Sequence, residues 1–187
     1  MDTTLPLPTD DQLSVDIRKT LASIPPANIF RMMANAPASL KPFIQLAGSI
    51  LIQSEFDKRK REIAVLRIAR VTRSTYEWEQ HVRIAKMVGV TQDEIDRIGA
   101  DGPVQGLDEE SLLLCRVAEE ISRDVRLSDD ALQAIVGRYG VRQATELIVC
   151  CSYFNMVSRF LESTRVELES MPLIVERTQL GAPGVSQ

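Results

Sequence analysis

The sequence predicts an all-α protein, and three observations carry that prediction. Apolar residues recur at helical spacing in stretch after stretch. Proline, glycine and cap-type residues punctuate those stretches where helices start and stop. No segment shows the alternation of a half-buried strand, and there is no tandem repeat of solenoid type. At 187 residues, 44% hydrophobic and 26% charged, the chain has an ordinary globular composition and enough length for a substantial core. One helical domain is expected over 1–170. A tail over 171–187, marked by Pro172, Gly181, Pro183 and Gly184, is expected to be flexible or ordered by a partner.

Taken in order, Thr9, Asp10 and Asp11 introduce a first helix on Leu13, Val15, Ile17 and Leu21 that stops before Pro25-Pro26. A short helix over 27–34 meets Pro37. A third, over 40–53 with Pro42 in its first turn, repeats Phe43, Leu46, Ala47, Ile50 and Leu51 at helical spacing. Helices over 59–71 and 75–88 form a hairpin across 72–74. Thr91 and Glu94 form a capping box for a short helix to Ile98, and the Gly- and Pro-bearing stretch 99–106 is a loop. An amphipathic helix over 107–124 follows, then one over 129–139 capped by Ser128 and closed by Gly140. The longest pattern, over 142–167, has a wide face of Ala144, Leu147, Ile148, Cys151, Phe154, Val157, Ser158 and Leu161.

Several function classes fall away. A net charge of −4, with no basic stripe interleaved with aromatics, speaks against nucleic acid as a partner. No apolar run approaches a membrane span, and Met1-Asp2-Thr3-Thr4 lacks a signal-peptide start, so a cytoplasmic location without membrane partners is expected. Cys115, Cys150 and Cys151 include no Cys-x-x-Cys and read as buried thiols.

The hairpin is where the pattern departs from an ordinary core. On a wheel of about 100° per residue, Glu77 and His81, the only histidine, fall inside the arc of Trp78, Val82, Ile84, Ala85 and Val88. Glu62 likewise falls between Ala69 and Leu66, while Lys60, Arg67 and Arg70 lie elsewhere. Ionisable groups in an apolar stripe are costly to desolvate and need partners. Across the hairpin Glu62, Glu77 and His81 can converge, and two carboxylates with an imidazole in a partly apolar setting suit proton transfer near neutral pH. Plainer readings remain open. Ser74 and Glu77 also spell a capping box, and Glu62 also suits an ion pair with Arg67 or Arg70. Two glutamates and a histidine are metal-ligand types, yet no second histidine or third carboxylate stands at a supporting spacing, so no metal is expected.

These same residues resemble the carboxymuconolactone decarboxylase family, which shares its fold with alkylhydroperoxidase D. That family's redox branch carries a glutamate, eleven residues, Cys-x-x-Cys, three residues and a histidine. Glu62 and His81 match the ends of the pattern, whereas Ser74 and Glu77 stand where the cysteines would be. The text Arg61-Glu62-Ile63-Ala64-Val65-Leu66-Arg67 and Tyr76-Glu77-Trp78-Glu79-Gln80-His81 is similar to the non-redox branch, most strongly over about 40–100. The resemblance implies an oligomeric helical bundle (homodimer, trimer or hexamer) with an active-site hairpin. It implies cofactor-free decarboxylation of a carboxylated lactone or related small acid, with His81 as proton donor and Glu62 and Glu77 assisting. Ser74, Tyr76, Trp78, Phe43 and Leu46 are the candidate pocket residues. No arginine cluster for substrate carboxylates stands out; Arg70 and Arg73 are the nearest. The runner-up is peroxide reduction of the alkylhydroperoxidase or peroxiredoxin type, which needs thiols that Ser74 does not supply. A third reading is a non-catalytic oligomeric binding protein whose polar cluster is structural.

Overall fold

The computed structural model describes residues 4–169, all of whose regular elements are helical. The expected tail over 171–187 lies outside the described residues. Among the described residues, no helix is long and apolar enough to cross a membrane. Contacts divide the chain into two compact units.

The first unit comprises the chain up to Ser54 together with the segment from Thr164 onward. A 3-10 turn, Asp10–Gln12, precedes α1 (Val15–Ala22), so the expected first helix is two elements. Ser14 causes the break: its backbone is extended and its Oγ accepts from Ile17 N–H at 3.3 Å, which starts the helix there. α2 (Asn28–Met33) packs on α3 (Pro37–Gly48), which runs on into a π-helical turn, Ser49–Gln53. α3 begins one turn earlier than expected because Pro37 occupies its start, and this puts Pro42 in the interior rather than in the first turn. Phe43 is buried here with an edge-on contact to Phe30, while Leu46 is largely exposed.

The second unit, Glu55–Ser163, is built around α4 (Lys58–Thr72). Every residue from Arg61 to Ala69 is buried, so this helix has no solvent face over more than two turns. α5 (Thr75–Met87), α6 (Gln92–Ile98) and α7 (Glu109–Asp124) all pack against it. The Thr91 and Glu94 capping box forms as expected. Arg67, which the wheel puts off the apolar stripe, is 1% exposed. It is accommodated by a full set of acceptors: Glu119 and the carbonyls of Ile98, Ala100 and Gly102 at 2.9, 3.0 and 2.6 Å. That fork ties α4 to α7 and to the loop after α6.

α8 (Asp129–Thr164) merges the two helices expected on either side of Gly140. Ser128 Oγ accepts from Ala131 N–H at its start. Gly140, at φ 73 and ψ 167, turns the chain between its halves in a conformation that essentially only glycine adopts. The second half ends at Thr164, before a left-handed Arg165.

Candidate functional site

The hairpin of α4 and α5 turns at Arg73, held in the left-handed region at φ 60, and Ser74. Its tight closure lets a side chain about three turns back along α4 face one nearly two turns along α5. Glu62, completely buried on α4, lies with Oε2 2.6 Å from His81 Nδ1 on α5. Its other oxygen accepts from Arg61 Nε at 3.1 Å. Burial by itself pushes the Glu62 carboxyl up, but the charges and hydrogen bonds of His81 and Arg61 outweigh it and hold the group below its usual range. An ionised Glu62 only accepts, so His81 Nδ1 carries the proton. Nε2 is left with no protein partner among the described residues. The edge-on ring of Phe154, 4.8 Å away between centroids, fixes the imidazole from the α8 side.

Glu77, at 2% exposure, has the opposite electrostatics. Burial pushes its carboxyl well above the usual value, the Ser158 hydrogen bond opposes this, and the negative charges of Glu62 and Glu162 add to it. Ser158 Oγ donates to Glu77 Oε2 at 2.9 Å and lies 2.9 Å from Thr72 Oγ1. Glu77 Oε1 has no hydrogen-bond partner among the described residues. The cluster thus pairs one carboxyl held below its usual range with another pushed above it, the kind of separation that divides acid from base roles in carboxylate sites.

Two plainer readings are settled by these contacts. Ser74 is the N-cap of α5 by backbone position, but its hydroxyl makes no cap bond, so the capping box is absent. The reason is that Glu77 is drawn to Ser158 instead of back toward its own N-terminus. Glu62 pairs with Arg61, not with Arg67 or Arg70; Arg67 is taken by Glu119, and Arg70 Nη2 lies 2.7 Å from Asp101. Among the described residues, no group of three or more His, Cys, Asp or Glu side chains is placed to hold a metal ion.

Of the other candidate pocket residues, Tyr76 is buried, and Ser74 and Trp78 line a cavity at the start of α5. Phe43 and Leu46 belong to the first unit. Sequence reasoning missed Arg61, whose position beside Glu62 puts it far round the wheel, and gave Ser158 no role beyond a buried face. Cys150, sixty-nine residues after His81 in the chain, is brought by folding within electrostatic reach of Glu62, Arg61 and Glu77. Burial pushes that thiol well above its ordinary value, and pushes Cys115 and Cys151 up to about 12.

Residues 37–120, which include Glu62, Glu77 and His81, match the model of the Carboxymuconolactone decarboxylase family. The matched segment spans somewhat less than half of the chain and includes the whole hairpin of α4 and α5. The fold extends well beyond it. An uncharacterized peroxidase-related protein from Silicibacter sp. TM1040 superposes with a TM-score of 0.75 at 16% identity, covering 91% of this chain and 94% of that one. A second uncharacterized peroxidase-related protein, an alkylhydroperoxidase AhpD core from Ralstonia eutropha JMP134, gives 0.75 at 14% identity, covering 89% and 92%. A protein of unknown function from Agrobacterium tumefaciens gives 0.63 at 16% identity, covering 74% and 96%. The fold is therefore the alkylhydroperoxidase-D-like helical one. No curated protein is significantly similar in sequence.

Proposed function

We propose that this protein is a cofactor-free enzyme of the carboxymuconolactone decarboxylase type, acting by proton transfer on a carboxylated lactone or related small acid. The single observation that carries the proposal is the buried Glu62 carboxylate 2.6 Å from His81 Nδ1. A carboxylate in that place fixes the tautomer, points Nε2 away from it, and stabilises the imidazolium when Nε2 takes a proton. On a carboxylated, carbonyl-conjugated substrate, cleavage of the carbon–carbon bond releases carbon dioxide and leaves its electron pair in a dienolate. His81 Nε2–H then delivers the proton to carbon, and solvent reprotonates the ring. Glu77, its carboxyl pushed up by burial and anchored by Ser158, contributes a hydrogen-bonding group to the cluster.

Ultraviolet-monitored turnover of γ-carboxymuconolactone tests the reading, with His81→Gln alongside. Turnover is expected in the parent, with a loss of about 10²–10⁴-fold in the variant. Equal turnover in both would remove His81 from the chemistry, and none in the parent would remove this substrate.

A second reading, peroxide reduction, draws on the nearness of Cys150 to Arg61, Glu62 and Glu77, and on the peroxidase-related names of the structural neighbours. Against it stand the raised thiol and the absence of a Cys-x-x-Cys partner. Peroxide consumption abolished by Cys150→Ser would favour it over proton transfer.

A further inference from the structure

The start of α5 borders a cavity of about 530 Å³, separate from the Glu62 and His81 contacts, whose walls include Arg70, Arg73, Ser74, Thr75, Trp78 and Asp101. Four observations converge on it. α5 is a thirteen-residue helix whose first turn receives no hydrogen bond from its N-cap side chain, so its positive end is unsatisfied from that side. Ser74 is 1% exposed and its Oγ has no hydrogen-bond partner among the described residues, a rare state for a buried hydroxyl. The Arg73 guanidinium is exposed and forms no ion pair or side-chain hydrogen bond among the described residues, while its left-handed backbone fixes where the side chain starts. Trp78 forms a flat wall held by Gly99, where an added Cβ would lie 2.7 Å from the indole Cη2.

We propose that this cavity binds a small oxyanion, a carboxylate or a phosphate. Arg73 supplies the charge, and Ser74 Oγ with the first-turn N–H groups of α5 supplies hydrogen bonds. Asp101 is the one acidic side chain in the wall. It is almost fully exposed and engages Arg70 at 2.7 Å, so a carboxylate already occupies one of the two arginines and Arg73 remains for a ligand. The proposal stands independently of the proton-transfer reading.

Trp78 is the only tryptophan, so its fluorescence reports directly on the cavity. Titration with succinate, and separately with inorganic phosphate, at constant ionic strength set by sodium chloride, should give a saturable change with at least one of them. Arg73→Gln should weaken that binding about 10-fold or more and Ser74→Ala by a smaller factor, whereas His81→Gln should leave it unchanged. Saturation by phosphate alone or by succinate alone identifies which oxyanion the site takes. A change that stays linear for both anions, or that saturates equally in Arg73→Gln, overturns the proposal. If either variant loses its helical circular dichroism, amide shifts in the parent decide: anion-dependent shifts at Thr75 and the Trp78 indole support the site, and their absence refutes it.

Discussion

Glu77→Gln separates a neutral buried carboxyl from an ionised one. Glu77 has one oxygen on Ser158, the other without a partner among the described residues, and a carboxyl pushed by burial well above 4.5. The folded chain therefore keeps a proton that the unfolded chain loses once pH passes its ordinary value. The sign follows: this group's contribution is fully present below about pH 4.5 and is lost as pH rises toward the folded value, at about 1.4 kcal/mol per pH unit. Gln is nearly isosteric, its amide oxygen still accepts from Ser158, and it does not titrate. Over the interval between those two values, the variant should gain on the parent by about 1.4 kcal/mol for each pH unit, whatever constant offset the substitution brings. Urea denaturation of both proteins at pH 5, 6 and 7, at one ionic strength, measures this directly. Glu62 and His81 are present in both proteins and largely cancel in the difference. A stability difference that stays flat across the three pH values would mean that Glu77 is ionised in the fold, and the contrast drawn between Glu77 and Glu62 would fail with it.

Two further substitutions test the frame that holds the site. Arg67→Lys keeps the charge but cannot reach Glu119 and the three carbonyls together, and should cost about 2–4 kcal/mol in urea unfolding; a loss under about 0.5 kcal/mol would show those acceptors finding other donors. Gly140→Ala meets no neighbour within 4 Å, so its expected cost of about 1–3 kcal/mol is purely conformational; an unchanged melting temperature would mean that the junction in α8 relaxes to an ordinary backbone.

Helix positions were legible because apolar periodicity and cap residues are local signals; α6 behind the Thr91 and Glu94 box and the end of α7 at Asp124 show this. The meeting of Glu62 with His81 was legible too, since two ionisable residues inside apolar stripes one hairpin apart have few other ways to be satisfied. What the wheel hid depends on enclosure from all sides. Arg67 looked like a solvent-facing charge because a wheel assumes that one side of a helix is wet, and α4 has no such side there. The Ser74 and Glu77 box failed because a local hydrogen bond lost to a tertiary one, with Ser158 eighty-one residues away. Pro42 was misplaced because an earlier proline, Pro37, offered the better helix start.

The two-residue turn at Arg73 and Ser74 also acts as a gauge. Each residue added to or removed from it would rotate α5 by about 100° and slide it by about 1.5 Å relative to α4. A single insertion would carry Glu77 and His81 out of phase with Glu62 together, since both ride on the same rigid rod. One side chain of this site can therefore be exchanged without moving the others, whereas the number of residues between the helices cannot change without moving them all.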